Sequence, residues 1–325
     1  MKMVKKIALA ILALIALGVL AVVVKFFVLS PKMRPPPNVT APKTPEALAR
    51  GKYLVNNVAA CVGCHSPIDE SQPGDPPVAG KLGAGRDFGD WGPKVPFRLR
   101  AHNLTPDKAT GLGDWTDGEI LRAMREGVGK DGHTLFPQMP YETYRETLSD
   151  EDALAIIAYL RTLDPVVNDP GKTEVKFPVS MFVRGTPRPV EVSPPSPPPA
   201  TDKLARGNWL LQVCSCADCH DSRDDHAQKL PGKAFAGGMS FPLPNGKGTA
   251  IAPNITSDKA TGIGAYSDDD LKRVFDEGKG KTGRFLYTMP WSYYKGLTAE
   301  DKDALIVAIR AIPAVSQGVP PSEIK

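Results

Sequence analysis

The sequence lacks the patterns that mark most enzyme active sites and nucleic-acid-binding surfaces. Its 325 residues contain no glycine-rich phosphate loop, nucleophile elbow or HExxH pattern. Net charge is also scarce: four of the 40 lysines and arginines lie in residues 1–30, which contain no acid, and the remainder has 36 basic and 36 acidic residues. A chain without a basic excess has no electrostatic footprint for DNA or RNA, so we expect no nucleic-acid partner.

Cysteine is sparse, and four of the five cysteines fall in two copies of one motif, residues 61–65 (CVGCH) and 216–220 (CADCH). C-x-x-C-H is the attachment pattern of c-type haem: the two thiols add across the haem vinyl groups, and the adjacent His ligates the iron. A zinc site is the alternative, but zinc sites pair their C-x-x-C motifs within a short span, and these two lie 155 residues apart (216 − 61). The sequence therefore predicts two covalently attached haem c groups. The cysteines are predicted to attach the haems and the histidines to ligate the irons: Cys61, Cys64 and His65 for one haem, and Cys216, Cys219 and His220 for the other.

Cys214 is the odd cysteine. It aligns with Ala59 of the first copy, so haem attachment does not require it. The favoured interpretation is a buried, inert thiol. A redox-sensitive thiol and a C-x4-C variant of the attachment motif remain open.

The two motifs belong to a longer internal repeat. Residues 103–115 (NLTPDKATGLGDW) align with residues 254–266 (NITSDKATGIGAY), with eight of thirteen positions identical. Leu48-Ala-Arg-Gly51 likewise matches Leu204-Ala-Arg-Gly207. Two equivalent units are therefore predicted, each opened by a C-x-x-C-H motif.

Both repeats are predicted to be helical, because strand-like alternation is weak and helix-start signals recur. Thr44 followed by Pro45 predicts the start of the helix that leads to the first motif. Further capping patterns precede apolar helical periodicity at Thr116–Glu119, Ser149–Asp152, Ser267–Asp270 and Thr298–Asp301. The expected fold class is mainly α.

Met139 and Met289 are the predicted sixth ligands of the two irons. They occupy equivalent places in the repeats, and each is followed by proline in a loop between two predicted helices. A core methionine is the alternative at either position. His133 competes in the first repeat, but it has no counterpart in the second. His102 and His226 also lack repeat partners and are read as surface or polar-network residues, and Met124 as core packing.

His/Met ligation would fill both axial positions of each iron, which favours electron transfer over chemistry on a substrate bound to iron. The predicted function is a relay of single electrons, with no catalytic residues of its own. The alternative is a dihaem oxidoreductase enzyme, of the peroxidase or thiosulfate type.

The N-terminus carries an apolar segment long enough to span a bilayer. Residues 7–24 are an uninterrupted apolar run of 18 residues, preceded by three lysines. A cleaved signal peptide is the alternative, but the run is long for one and no A-x-A pattern follows it. We expect an uncleaved single-pass anchor in a bacterial inner membrane. Because c-type haem is attached outside the cytoplasm, the haem domains should lie in the periplasm.

Proline-rich stretches separate these units. The predicted domain organisation is a transmembrane anchor (1–30), a proline-rich stalk (31–44), a first haem domain (45–168), a proline-rich linker (169–200), a second haem domain (201–315) and a tail (316–325).

The C-x-x-C-H motifs, the repeated N-x-T-x-D-x-x-T-G-x-G stretch and the late Met-Pro resemble class I cytochromes c in a tandem, dihaem, membrane-anchored form. They are similar in particular to the cytochrome c subunits of bacterial membrane-bound dehydrogenases. The resemblance implies two cytochrome c domains after an N-terminal transmembrane helix. It also implies redox protein partners: a dehydrogenase, a quinol-oxidising complex, an oxidase or a reaction centre.

The resemblance further implies that the first and last helices of each domain cross closely. Gly51 and Gly207 would permit that approach, with Tyr53, Trp209 and Tyr159 packing nearby. Asn103 and Asn254 would either hydrogen-bond near a haem propionate or only form a turn.

Overall fold

A computed structural model describes residues 2–72, 74–89, 95–225, 227–243 and 248–324. Within these ranges the chain is mainly helical, as predicted, and each repeat is built from short helices joined by long connections. The helices are α1 (Lys2–Val23), α2 (Pro45–Tyr53), α3 (Cys61–Cys64), α4 (Asp117–Glu126), α5 (Tyr141–Thr147), α6 (Asp150–Leu160), α7 (Val179–Val183), α8 (Lys203–Val213), α9 (Cys216–His220), α10 (Asp268–Glu277), α11 (Trp291–Tyr294) and α12 (Ala299–Ala311).

The strands are short and lie at the edges of the helical units. They are β1 (Arg86–Asp87), β2 (Phe97–Arg98), β3 (Arg100–Ala101), β4 (Glu174–Val175), β5 (Ser240–Pro242), β6 (Gly248–Ile251) and β7 (Glu323–Ile324). All pairings among them are antiparallel: β1 with β3, β2 with β4, and β5–β6–β7 in that order. The weak strand pattern of the sequence agrees with this minor role.

Helix α1 continues into a wider π-helical turn at Val24–Val28. Among the described residues, Lys2–Val28 is the one helix that is long and apolar enough to cross a membrane, and its apolar window is exposed to the surroundings. Such a helix is compatible with a membrane anchor or with a signal sequence.

The helix starts predicted from the sequence are confirmed. Thr44 Oγ1 accepts a hydrogen bond from the Ala47 amide at 3.3 Å, with Pro45 at the first helical position. Complete capping boxes begin α4 at Thr116 and α10 at Ser267. Because each cap satisfies an amide that the helix itself leaves free, these residues fix where the helices begin.

In each repeat the first long helix crosses the last one with backbones almost in contact. A Cβ on Gly51 of α2 would lie 1.9 Å from the Ala155 carbonyl oxygen of α6, and a Cβ on Gly207 of α8 would lie 2.0 Å from the Ala304 carbonyl oxygen of α12. No side chain fits in that space, so the expected close crossing at glycine is confirmed in both repeats.

The two repeats share one apolar core. Buried residues of both belong to a single contact cluster, including Leu54 and Ile157 of the first repeat and Leu210 and Ile306 of the second. Trp209 Nε1 of α8 donates a hydrogen bond to the Thr147 carbonyl at the end of α5. Trp209 therefore reaches across to the other repeat, whereas Tyr159 stays beside Gly51 as expected.

The proline-rich segment 31–44 lies along the first repeat. Its Arg34 guanidinium pairs with the Glu126 carboxylate at 2.7 Å, and the Ala41 amide donates to Asp117 Oδ2 at 2.8 Å. Glu126 is 2% exposed, and a buried carboxylate needs polar partners of this kind. The segment is extended, as its proline content predicts, but it is held against α4.

The second proline-rich segment, 169–200, also contacts the first repeat. Its strand β4 pairs with β2, and the buried Val190 amide donates to Glu126 Oε1 at 3.1 Å. Both proline-rich segments therefore converge on Glu126.

Candidate haem sites

The two C-x-x-C-H motifs fold in the same way. Each follows a residue in the left-handed backbone conformation, Ala60 (φ 46°) and Ser215 (φ 53°), and then forms a short helix, α3 or α9. A left-handed residue other than glycine is uncommon and is found where the surrounding structure fixes a sharp change of direction. Here it turns the chain from the first long helix into the motif.

One cavity of about 2660 Å³ is lined by both motifs and by both Met-Pro loops. A pocket for one small molecule typically has about 300–1,000 Å³. The structure thus brings together all eight residues predicted to bind haem: Cys61, Cys64, His65, Met139, Cys216, Cys219, His220 and Met289.

The rest of the cavity wall is mostly apolar, and the two repeats contribute equivalent side chains. Leu104, Leu112 and Ile120 line it in the first repeat, and Ile255, Ile263 and Leu271 occupy the same places in the second. Such walls suit a flat, largely apolar macrocycle.

The two motif histidines are held by equivalent backbone carbonyls. His65 Nδ1 lies 2.7 Å from the His102 oxygen, and His220 Nδ1 lies 2.9 Å from the Pro253 oxygen. A proton on Nδ1 donates to the carbonyl and leaves Nε2 free with its lone pair, which is the tautomer that ligates a metal. Burial in the cavity lowers the pKa of His65 to about 4 and also lowers the pKa of His220, so both rings are neutral at neutral pH.

The carbonyls that orient the histidines immediately precede Asn103 and Asn254. Asn103 is fully buried; its Oδ1 accepts from the Thr105 amide at 2.9 Å, and its Nδ2 donates to the Val166 carbonyl at 2.7 Å. Asn254 repeats the pattern with Thr256 and Val315. Each asparagine therefore forms a turn, which is the second of the two roles expected from the sequence. The turn fixes the loop whose carbonyl holds each histidine.

The Met-Pro loops also match. Met139 follows α4 and precedes α5, and Met289 follows α10 and precedes α11, as expected. In each loop the Met carbonyl accepts from the amide two residues on, Tyr141 or Trp291, at 2.8 Å. Both methionines line the cavity; their role as sixth ligands stays a prediction.

His133 and His102 also line the cavity, and each ring has a partner within the protein. The His133 ring contacts the Asp131 carboxylate, and the His102 ring packs against Trp115 with centroids 5.7 Å apart. Met124 is 6% exposed, which confirms it as a core residue. His226 lies outside the described residues.

The motif thiols are protonated in this environment. Burial raises the pKa of Cys61 to about 12 and the pKa of Cys216 to about 12. A zinc site needs several converging ligands, and across the described ranges no three His, Cys, Asp or Glu side chains converge on a metal-ion site. The two motifs therefore fit haem c better than zinc.

Cys214 is buried, and its pKa is raised well above the usual range by desolvation. Burial and protonation agree with the expectation of an inert thiol.

Two contacts between a tyrosine hydroxyl and a backbone carbonyl were not predicted from the sequence. Tyr294 Oη donates to the Cys214 carbonyl at 2.9 Å, and Tyr144 Oη stands at 3.5 Å from the equivalent carbonyl, that of Ala59. Both phenols brace the backbone just before a motif. Tyr144 and Tyr294 occupy equivalent positions in the two repeats, and this equivalence could have identified them from the sequence.

Guanidinium groups also border the cavity. Arg86 in the first repeat and Arg284 in the second are part of its lining. Arginine pairs with carboxylates in a bidentate manner, so these side chains could hold haem propionates.

Comparison with known proteins gives several related cytochrome subunits. The chain is 33% identical over 242 residues to the gluconate 2-dehydrogenase cytochrome c subunit of Pantoea cypripedii, covering 71% of this chain and 51% of that subunit. It is 28% identical over 288 residues to the fructose dehydrogenase cytochrome subunit of Gluconobacter japonicus, covering 83% and 54%. The chain thus spans about half the length of these relatives.

A shorter relative matches over most of its own length. The dihaem cytochrome c-type protein of Cereibacter sphaeroides is 25% identical over 292 residues, which cover 86% of this chain and 90% of that protein. The family model of cytochrome c matches residues 48–164, which include the first C-x-x-C-H motif and the first Met-Pro loop. This family implies covalently bound haem c, and residues 48–164 are a cytochrome c domain.

Proposed function

We propose that this chain is a membrane-tethered dihaem cytochrome c that relays single electrons between periplasmic redox partners, as a subunit of a membrane-bound dehydrogenase or respiratory complex. The observation that carries the proposal is the equivalence of the two ligand sets. Each set contains a C-x-x-C-H motif, an oriented histidine and a Met-Pro loop, and both line one cavity.

In this proposal residues 45–168 and 201–315 are tandem cytochrome c domains. Cys61 and Cys64 hold one haem covalently and Cys216 and Cys219 hold the other. His65 with Met139, and His220 with Met289, supply the axial ligands. The matching glycine crossings and asparagine turns of the second repeat support its assignment to the same fold as residues 48–164.

Bound haem c supplies one-electron exchange between ferrous and ferric iron. The chain's own residues do the rest. The His102 and Pro253 carbonyls hold the imidazoles in the ligating tautomer, and the mostly apolar wall packs against the macrocycles. Thioether ligation by methionine would set higher potentials than a second histidine.

The partner proposed first is a dehydrogenase, since several relatives are named as cytochrome subunits of gluconate, alcohol and fructose dehydrogenases. Helix α1 supplies the proposed single-pass anchor in the inner membrane, with both haem domains on the periplasmic side. The long apolar run and the absence of an A-x-A pattern support retention of this helix.

The test begins with the full chain, produced with haem attachment and purified in detergent. Mass and haem content should give two haems per chain, and the oxidised protein should show the near-infrared band of sulfur-to-iron ligation at both sites. One haem per chain, or high-spin iron at either site, would contradict the assignment.

The enzyme alternative needs its own assay. Reduced protein is mixed with peroxide, and oxidised protein with thiosulfate. Turnover of roughly 10 per second or more, which is ordinary for enzymes, would favour the oxidoreductase. Slow stoichiometric reaction is expected. Mild affinity purification from the native membrane should recover a dehydrogenase subunit with the chain.

A further inference from the structure

The short helix α7 carries an apolar surface that the protein itself leaves open. Phe177, just before the helix, is 75% exposed, and Phe182 within it is 56% exposed. Phenylalanine has no polar group to offer water, and two such rings five positions apart form a patch rather than scattered single residues. The end of α1 adds Val28 and Leu29, which are also exposed.

Helix α7 is fixed to the end of α1. Arg184 Nε donates to the Phe26 carbonyl at 3.0 Å, and its Nη2 donates to the Ser30 carbonyl at 3.1 Å. The rings of Phe26 and Phe182 meet edge to face with centroids 5.7 Å apart. Phe182 must therefore lie at nearly the same depth as Phe26 in any membrane that α1 enters.

The length of α1 sets that depth. Its apolar run of 18 residues, 7–24, is about 27 Å long at about 1.5 Å per residue, which nearly fills a hydrocarbon core of about 30 Å. Phe26 follows the run by two residues, about 3 Å further along the axis. This places Phe26 and Phe182 at the boundary between acyl chains and headgroups, where aromatic side chains are favoured.

The basic side chains around the patch also fit a position at the boundary between acyl chains and headgroups. Lys25 lies in the π-helical turn after α1 and Lys32 lies four residues beyond that turn, and Lys176 and Arg184 flank the two phenylalanines. Basic side chains around an apolar face are typical of segments that lie on anionic lipid.

We propose that Phe177 and Phe182 enter the outer lipid leaflet beside α1 and hold the first haem domain against the bilayer. The inference rests on the proposed membrane anchor and adds a second lipid contact to it. Ser180, Val183 and Arg184 also line the cavity, together with Met139. The bilayer therefore lies next to the Met139 side of the first haem pocket.

The experiment measures lipid protection at single cysteines in the full, haem-loaded chain. The four motif cysteines are consumed as thioethers in the loaded protein and Cys214 is buried, so an introduced cysteine is the reactive thiol. Phe177→Cys and Phe182→Cys are reconstituted separately in nanodiscs of phosphatidylcholine and phosphatidylglycerol. Each is labelled with a positively charged, membrane-impermeant thiosulfonate. The haem spectrum of each variant reports that it is folded.

Two controls define the outcomes. Val167→Cys is matched in exposure, since Val167 is 77% and Phe177 is 75% exposed in the protein alone. Leu14→Cys lies in the apolar run and reports whether α1 spans the bilayer. Apart from the scaffold protein at the rim of the disc, no other protein is present, so protection reports lipid.

We expect positions 177 and 182 to react at least about tenfold more slowly than position 167, because lipid excludes the charged reagent. If they react as fast as position 167 while position 14 is protected, the anchor stands and the second lipid contact is wrong. If position 14 also reacts, the anchor itself is wrong and this inference fails with it.

Discussion

Tyr53 Oη donates a hydrogen bond to Asp301 Oδ2 at 2.6 Å, and this bond joins the first helix of one repeat to the last helix of the other. Asp301 is 3% exposed and also receives two hydrogen bonds from Arg206 of its own repeat, at 2.8 and 3.0 Å. The Tyr53 oxygen in turn accepts from the Thr298 amide at 3.2 Å. A carboxylate that the sequence predicts only as part of a helix cap is thus one of the contacts between the two repeats.

The first prediction concerns this contact. Tyr53→Phe removes one hydrogen bond to a buried carboxylate and should lower the free energy of unfolding by about 1–3 kcal/mol, the range for bonds to charged groups. Guanidinium unfolding, followed by far-UV circular dichroism and by the haem absorbance, measures the change. The control is Tyr159→Phe, whose hydroxyl accepts from the neutral Asn56 amide at 3.1 Å within one repeat. An equal or smaller loss for Tyr53→Phe would contradict the role given to the Tyr53–Asp301 bond.

The second prediction is a pH dependence. Burial opposes ionisation of Asp301, but the hydrogen bonds from Arg206 and Tyr53 outweigh it and hold the pKa of Asp301 below 3.8. A carboxylate with a depressed folded-state pKa stabilises the protein above its unfolded pKa, and that stabilisation is lost as pH falls through the folded pKa. The stability gap between the native chain and Asp301→Asn should therefore be constant from neutral pH down to the ordinary Asp range and shrink below it. Urea unfolding across acidic pH measures the gap, and a gap that widens on acidification would refute the prediction.

The third prediction tests the helix crossings. Gly51→Ala would place a methyl group within 1.9 Å of the Ala155 carbonyl, so α2 and α6 must separate. The expected loss is about 3 kcal/mol or more, at the upper end for overpacking. Gly318→Ala is the matched control, because a Cβ there meets nothing within 4 Å and its φ is not positive. Thermal unfolding of both variants in the haem-loaded form gives the comparison. Similar midpoints would show that the helices yield easily at this contact.

The fourth prediction concerns the proposed sixth ligands. Met139→Ala should abolish about half of the near-infrared sulfur-to-iron band and lower the potential of one haem, because a thioether favours the ferrous state. Met289→Ala should affect the other haem in the same way. Met181→Leu, a volume-conserving change at a methionine that does not line the cavity, should leave both potentials in place. Redox titration followed by absorbance separates the cases. An unchanged spectrum in Met139→Ala would remove that residue from the ligand set.

The sequence predicted the features that depend on a few adjacent residues. The capping residues at Thr116 and Ser267, the repeated motif and the Met-Pro loops each occupy a few adjacent positions, and the repeat allowed every assignment to be checked against a second copy. The features it did not predict are long-range or involve backbone atoms. The carbonyls of His102 and Pro253, which orient the histidines, leave no mark in residue identity, because every residue has a carbonyl.

The proline-rich segments show the same limit in another form. Proline content predicts an extended chain, but it does not predict the surface on which that chain lies. The contact of Arg34 with Glu126 joins positions 92 residues apart. The bond from Tyr53 to Asp301 spans 248 residues. Only the arrangement of the whole fold brings such pairs together.

The docking of residues 31–44 on the first repeat limits how far the two repeats can move away from α1. Arg184 reaches the carbonyl of Ser30, just after the helical segment ends, and Arg34 is already bound to Glu126. These two fixed points are four residues apart, so they can separate by at most roughly 14 Å of extended chain. With α1 in a bilayer, the molecule cannot swing out to meet a distant donor. A partner embedded in the same membrane would find it by lateral diffusion in two dimensions, and a partner dissolved in the periplasm would always approach the same outward face. The rate of electron transfer through this chain would then be limited by collisions within the membrane plane.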